Sequence, residues 1–221
     1  MDSHIELPEL QEQFETPEQQ REVSTLGMWI FLVTEIMFFG GLFMAYTIYR
    51  RAFAGAFGLA SNTMDVWLGA ANTAVLICSS FTMVLAVRAA KIGSRKALIV
   101  FLILTILFGS VFLGIKAFEW NTKFVEHHVP GPTFHLEGAS AGDQGPAQIF
   151  FSLYFTMTGL HALHMIIGEG LMLFLLWEAY AGRYSPSYYT PVDIGGLYWH
   201  FVDIIWIFLF PLLYLIARHQ H

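Results

Sequence analysis

The sequence predicts an all-α membrane protein, built as a single bundle of five transmembrane helices. Of its 221 residues, 56% are hydrophobic and only 13% are charged, whereas a soluble domain has about 25% charged residues. About 20 helical residues cross a membrane core that is roughly 30 Å thick. Five apolar segments reach that length, and helices are predicted at about 26–49, 66–87, 97–118, 148–177 and 195–217.

The first 24 residues are predicted to form a polar arm in front of one transmembrane domain, which covers residues 25–221. Seven acidic residues lie among the first 22 positions with Arg21 as the only basic one, and the net charge is −6. This balance excludes the basic surface of a nucleic-acid-binding protein, so no nucleic-acid partner is expected. An acidic start also differs from a cleavable signal. The only cysteine, Cys78, excludes an internal disulfide and a multi-cysteine metal site.

The basic residues predict how the bundle is oriented. A short turn between the second and third segments carries Arg88, Lys91, Arg95 and Lys96. Basic loops remain on the inner side of a membrane. The N-terminus is therefore expected inside, and five crossings place the C-terminus outside.

The last apolar segment contains two ionisable residues, which a simple membrane anchor does not need. His200 and Asp203 are three residues apart, so they share a helical face and could pair. Unpaired charge in hydrocarbon is costly, so both side chains are expected to point into the bundle. Trp199 lies beside them in the sequence. The alternative is an aromatic belt at the membrane interface with a histidine there by chance.

The run from Tyr198 to Trp206, YWHFVDIIW, resembles the last-helix signature of subunit III of haem-copper terminal oxidases. The first segment, LGMWIFLVTEIMFF, and the TGLHALH run of the fourth segment are also similar to that family. The long form of the family has seven helices. This chain lacks the first two and therefore resembles the five-helix bacterial form.

Glu35 lies about 14 Å into the first segment, near the middle of the membrane. An apolar environment disfavours the charged form of a carboxyl. We therefore predict a buried carboxyl with a proton-linked or lipid-linked role, or one hydrogen-bonded to another helix for packing. In the family that the chain resembles, a buried glutamate on this helix reacts with a carbodiimide, and Glu35 falls on that position.

Histidines of the fourth segment raise the alternative of a metal site. His161 and His164 share a helical face, but two imidazoles are only half of a typical site. We expect a structural network of histidines bonded across helices, and the resemblance likewise implies no metal in this chain. Glu169 could pair with a basic residue or pack in a glycine-rich part of the helix. His127, His128 and His135 are expected in a solvated loop.

Two weaker features complete the predicted polar and packing sites. Glu119, which follows the third segment, resembles a family marker at the membrane edge and is predicted to belong to the structural network. Small residues permit close contact between helices; the candidates are Gly40, Gly41, Gly69, Ala70 and Ala71.

The resemblance implies an accessory role in a bacterial respiratory oxidase in the cytoplasmic membrane. The catalytic subunit I would be the direct partner, subunit II and small subunits would share the complex, and haem and copper would lie in those partners. No catalytic residue is assigned, so whether the chain itself counts as an enzyme stays open. Bound phospholipid is compatible with the family. The alternatives are the accessory subunit of a nitric oxide reductase, a proton-coupled transporter that uses Glu35, and a membrane metalloenzyme.

Overall fold

The computed structural model describes residues 14–132 and 134–215, and helices account for most of them. Within these ranges there are six helices and no strand beyond one isolated bridge between Ser185 and Tyr188. The helices are α1 (Pro17–Ala52), α2 (Ala54–Asn62), α3 (Val66–Lys91), α4 (Arg95–Val125), α5 (Gln144–Ala181) and α6 (Thr190–Tyr214). All except the short α2 are long and apolar enough to cross a membrane, which confirms the all-α fold with five spans.

The first helix starts earlier than the predicted residue 26. Thr16 caps α1 by accepting a hydrogen bond from the amide of Gln19, Pro17 occupies the first turn, and Glu18 adds an acidic residue there. These are strong helix-start signals. Residues 17–24 of the predicted arm are therefore helical, while residues 1–13 lie outside the described part of the chain.

The other helix ends also differ from the prediction, because polar residues continue the helices beyond their apolar stretches. The helix α4 runs on to Val125, and α5 extends from Gln144 to Ala181. Thr190 starts α6 with a proline in its first turn. The predicted end at residue 217 falls among residues that are not described.

The helix α6 forms the centre of the bundle, and α1 lies at its edge. The most apolar part of α6 has 56% of its residues buried, compared with 11% for α1. α6 packs on α3, α5 and α1, while α3 and α4 form a closely packed antiparallel hairpin. The side chains that join the helices are therefore concentrated around α6.

Glycines on α4 and α5 allow Trp199 of α6 to approach both helices closely. A Cβ atom added to Gly109 of α4 would lie 2.8 Å from the Trp199 ring, and one added to Gly168 of α5 would lie 3.0 Å from it. Among the predicted small residues, Gly69 does pack closely, since its added Cβ would lie 2.7 Å from Phe210. A Cβ added to Gly40 or Gly41 would have no neighbouring atom within 4 Å, so these two glycines make no close helix contact within the described part of the chain.

Candidate functional site

A buried ion pair lies where the end of α4 meets α5 and α6. Lys116 Nζ lies 3.0 Å from Glu119 Oε2, 2.9 Å from the Tyr214 hydroxyl and 3.3 Å from the Tyr154 hydroxyl. Both hydroxyls donate to Glu119 Oε1, that of Tyr154 at 2.7 Å. Lys116 and Glu119 are only 3% and 4% exposed. We call these four residues the lysine–tyrosine cluster.

The lysine–tyrosine cluster satisfies both of its charged groups. An ammonium group has three hydrogens, and each of those of Lys116 has an acceptor among the other three residues. The ammonium also lies 5.0 Å from the centre of the Trp206 ring, which adds a cation–π attraction. A buried ion pair is tolerated when its remaining hydrogen-bonding capacity is filled. The cluster therefore joins α4, α5 and α6 without leaving a buried charge unpaired.

The position of Glu119 differs from the prediction of a residue at the membrane edge. Because α4 continues to Val125, Glu119 lies inside a helix and points into the bundle. Sequence reasoning also missed Lys116 as a site residue. Its spacing of three residues from Glu119 was the available signal, since such pairs are neighbours on a helix.

A second acid–base pair joins α1 to α5. Glu35 Oε2 lies 3.2 Å from His164 Nε2, and these side chains are 20% and 13% exposed. The other ring nitrogen, Nδ1, lies 2.8 Å from the carbonyl oxygen of Leu160. Phe39 packs edge-on against the imidazole, with 5.5 Å between the ring centres. We call Glu35 and His164 the α1–α5 dyad; the sequence placed both in predicted sites but did not bring them together.

The prediction that His200 and Asp203 pair with each other is wrong, because no ion pair joins them in the structure. His200 Nδ1 instead lies 2.7 Å from the hydroxyl of Ser80 on α3. Asp203 is 3% exposed, and neither carboxylate oxygen has a hydrogen-bond partner among the residues that are described. A shared helical face allows a pair but does not require one, and here α3 supplies the closer partner for the histidine.

Trp199 holds α6 against α3 from inside the bundle. Its Nε1 donates to the Ser79 hydroxyl at 3.0 Å, and that hydroxyl lies 3.2 Å from the Thr105 carbonyl oxygen of α4. Trp206 repeats the arrangement further along α6, since its Nε1 lies 3.1 Å from the Thr73 hydroxyl. The predicted structural role of Trp199 thus has a defined set of contacts.

His161 packs among aromatic rings and makes no bond across helices. It is 1% exposed, and its ring centre lies 5.4 Å from that of Phe112 and 5.3 Å from that of Trp206. Neither ring nitrogen has a hydrogen-bond partner in the described ranges. The expected bonding across helices is wrong for His161, while His164 lies within ion-pair distance of Glu35 on α1. The two histidines contact different helices and do not form a shared site.

Of the two roles predicted for Glu169, pairing with a basic residue or close packing, the structure shows close packing. A Cβ added to Gly109 of α4 would lie 2.7 Å from Glu169 Oε1, so the carboxyl fits against a bare stretch of α4 backbone. In the part of the chain that the structure covers, no three His, Cys, Asp or Glu residues lie close enough together to hold a metal ion.

A third group of ionisable residues joins the last turn of α4 to the loop that follows it. Lys123 Nζ lies 2.8 Å from the Thr63 carbonyl oxygen and 2.7 Å from Glu126 Oε2. Glu126 Oε2 also lies 3.0 Å from His128 Nδ1, and the imidazole stacks on Phe151 of α5 at 5.0 Å. We call Lys123, Glu126 and His128 the α4 clasp. His128 is buried, so the predicted solvated loop is wrong for this histidine.

The surroundings of the α4 clasp lower the pKa values of both Glu126 and His128. Burial and the positive charge of Lys123 lower the pKa of His128 below its ordinary value of 6.5. Burial alone would raise the pKa of Glu126, but the hydrogen bond and charge of Lys123 outweigh it and lower that pKa. Around neutral pH, Glu126 is therefore a carboxylate and His128 a neutral imidazole.

At the opposite end of the bundle, basic residues surround the start of α1 and α6. Arg21 and Lys91 lie 5.2 and 5.3 Å from the centre of the Tyr189 ring, and Lys91 pairs with Asp193 at 3.4 Å. Beside them is an open cavity of about 470 Å³ between the start of α1, the end of α5 and the start of α6. Arg21 and Ser24 contribute to its polar side, while apolar residues of α1, α5 and α6 line the rest.

Comparison with known proteins gives a consistent result over nearly the whole chain. Residues 15–218 match the family described as cytochrome c oxidase subunit III. The chain is 32% identical to cytochrome c oxidase subunit 3 of Thermostichus vulcanus, over 87% of each protein. It is 34% identical to quinol oxidase subunit 3 of Bacillus spizizenii, over 88% of each. It is also 32% identical to a probable cytochrome c oxidase subunit 3 of Nocardia farcinica, over 87% of each.

Proposed function

This chain belongs to the cytochrome c oxidase subunit III family, and we propose that it is the accessory subunit III of a bacterial respiratory haem-copper oxidase. The observation that carries this proposal is the match over residues 15–218, which includes all five spans. The relatives are named subunits of cytochrome c oxidases and of quinol oxidases, so the electron donor is left open. The partners would reduce oxygen and pump protons, while this chain would stabilise the catalytic subunit and support proton uptake.

The structure supports a stabilising role through the way its charged residues are used. The lysine–tyrosine cluster and the contacts of Trp199 hold helices together, and neither presents an open, reactive group to a substrate. Subunit I is the proposed direct partner, with subunit II and small subunits in the same complex. Haem and copper are proposed to lie in those partners and not in this chain.

We place the protein in the bacterial cytoplasmic membrane with its N-terminus inside. The basic turn between α3 and α4 supports this orientation, since Lys91 and Arg95 flank it. Arg95 is also held at the end of α5 through the carbonyl oxygens of Ala179 and Tyr180. The lysine–tyrosine cluster would then lie toward the outer side, and the dyad near the middle of the membrane.

Membrane lipid is the proposed non-protein ligand. The cavity combines the basic Arg21, the acidic Glu18 and polar side chains with an apolar wall, and such a mixture of polar and apolar lining suits a phospholipid headgroup and the start of an acyl chain. Its position at the inner end of the bundle supports a lipid of the inner leaflet.

Purification in mild detergent tests the proposal. We expect an affinity-tagged chain to co-purify with an oxidase subunit I in equal amounts, as measured by mass spectrometry, together with a haem absorption spectrum. A mock purification from untagged cells is the control. A nitric oxide reductase as the only partner would contradict the oxidase assignment. Transport activity of the chain alone in liposomes would favour a transporter, and an equimolar metal in the isolated chain would favour a metalloenzyme.

A further inference from the structure

Glu169 of α5 is an acidic residue without a basic partner among the residues that are described. None of the ion pairs in the described ranges includes it. Its Oε1 atom is buried and accepts no hydrogen bond from these residues. The buried Glu119, by contrast, is bonded to Lys116 and to two tyrosine hydroxyls. The chain therefore satisfies Glu119 internally but leaves Glu169 incompletely bonded.

The groups beside Glu169 do not supply what its carboxyl lacks. A Cβ added to Gly109 would lie 2.7 Å from Oε1, but the backbone of Gly109 is within α4, where N–H groups are already bonded along the helix. Trp199 packs on the same glycine, and its Nε1 donates to the Ser79 hydroxyl. The hydroxyl of Ser110 also lies beside the carboxyl, but a single neutral donor fills only part of the capacity of a carboxylate.

The position of Glu169 makes this incomplete bonding costly. Because Ala181 ends α5, Glu169 lies about 18 Å from that end, near the middle of a hydrocarbon core about 30 Å thick. Glu169 is only partly buried. Ile166 and Leu173 lie one turn away on the same face and are 57% and 54% exposed. In a bilayer, this face would bring the acid next to acyl chains, where an unpaired acidic group is unfavourable.

We propose that Glu169 is the docking point for a transmembrane helix of a partner subunit, and that this helix places a basic side chain against the carboxyl. A basic group supplies both the opposite charge and N–H donors for the carboxylate oxygens. Ionisable residues at this depth are found mainly in pairs or facing protein. Ile166 and Leu173 would pack against the same helix. This inference rests on the proposed function, because it requires the chain to be a subunit of a larger complex.

Photo-cross-linking of the complete complex tests this docking surface. A photoreactive phenylalanine analogue replaces the exposed Ile166, the membranes are irradiated, and the complex is purified in mild detergent. Mass spectrometry then identifies what is linked to this position. We expect a transmembrane segment of another oxidase subunit, with an arginine, lysine or histidine within about two helical turns of the linked residue. Links only to lipid, or to a segment without such a basic residue, would overturn the proposal.

Glu169→Gln tests the basic partner separately. The amide keeps the shape of the side chain but not its negative charge, so the yield of the cross-link from position 166 should fall several-fold. Glu22→Gln removes the same charge from an exposed position near the start of α1 and should leave the yield unchanged. A yield in Glu169→Gln equal to that in Glu22→Gln would overturn the role of Glu169. The cross-link with Glu169 intact decides the matter even if Glu169→Gln fails to fold.

The same experiment separates this inference from the proposed function. An oxidase that co-purifies while position 166 links only to lipid would contradict the inference alone. A cross-link to a basic transmembrane helix of a complex that is not an oxidase would contradict the proposed function alone.

Discussion

The lysine–tyrosine cluster and the α1–α5 dyad each pair one acid with one base between the long apolar helices, but in opposite settings. The cluster lies against the central helix α6, and Lys116 and Glu119 are 3% and 4% exposed with every charged atom bonded. The dyad attaches the peripheral α1, and its carboxyl remains 20% exposed with one partner. Complete hydrogen bonding makes the first pair a fixed junction of three helices. The partly buried dyad makes a single ion-pair contact between α1 and α5.

Breaking the Lys116–Glu119 pair of the lysine–tyrosine cluster should cause the largest loss of stability. Lys116→Met leaves the Glu119 carboxylate buried without its cation, and removal of one partner of a buried pair costs about 3–5 kcal/mol. We expect a large loss of folded protein, measured by the thermal midpoint in detergent. Lys96→Met removes an exposed lysine from the first turn of the same helix and should change the midpoint little. A midpoint for Lys116→Met equal to that of the control would contradict the role of the cluster.

Adding a methyl group on α4 next to Trp199 of the central helix should cause a smaller loss of stability. Gly109→Ala introduces a Cβ that would lie 2.7 Å from Glu169 Oε1 and 2.8 Å from Trp199, and overpacking typically costs about 1–3 kcal/mol. Gly114→Ala on the same helix faces open space and should be neutral or slightly stabilising, because alanine favours helices. Chemical unfolding of both variants makes the comparison. Equal stability would show that α4 does not pack against Trp199 as described.

Altering the dyad should change stability by about 1 kcal/mol or less, as for other partly exposed pairs. Glu35→Gln keeps the shape and a hydrogen-bonding group but cannot carry a negative charge. We expect the complex to assemble and reduce oxygen, with at most a partial loss of sustained turnover in oxygen-electrode assays. Complete loss of oxygen reduction in a fully assembled complex would contradict an accessory role.

The α4 clasp provides a smaller, pH-dependent effect outside the membrane. The folded protein lowers the pKa of His128 below 6.5, so the unfolded chain binds that proton more readily. The stability from neutral His128 is thus complete above about pH 6.5 and decreases as the pH falls toward the lowered pKa. The thermal midpoint of the wild type should therefore fall between about pH 7.5 and about pH 5.5. In His128→Gln this fall should be smaller, because the variant lacks the histidine that gains a proton. An unchanged pH response in the variant would contradict the assignment.

The sequence predicted the five spans and most of the polar residues, because long apolar segments and isolated charges within them are local features. It did not predict their partners. Glu35 and His164 lie on different helices, and their pairing depends on how α1 packs against α5. His200 and Asp203 had suitable spacing, yet Ser80 of α3 provided the partner. Pairing in a bundle is decided by packing between helices, which the spacing within one helix does not encode.

The ends of helices were harder to predict than their centres for a related reason. Helix α4 continues through Glu119 to the α4 clasp, because tertiary partners satisfy the polar residues of its last turns. Hydropathy alone ends the helix where the apolar run ends. Glu119 was therefore assigned to the membrane edge; its place in a structural polar network was predicted, but its partners Lys116, Tyr154 and Tyr214 were not.

Double-mutant cycles on the two pairs test most directly the claim that one is a structural junction and the other is not. Unfolding free energies would be measured for Lys116→Met, Glu119→Met and their combination, and likewise for Glu35→Gln, His164→Gln and their combination. We predict that the coupling energy between Lys116 and Glu119 is several times that between Glu35 and His164. The variant that carries both Lys116→Met and Glu119→Met should partly recover stability, because replacing both partners leaves no unpaired buried charge. Equal coupling energies, or a larger one for the dyad, would contradict this account.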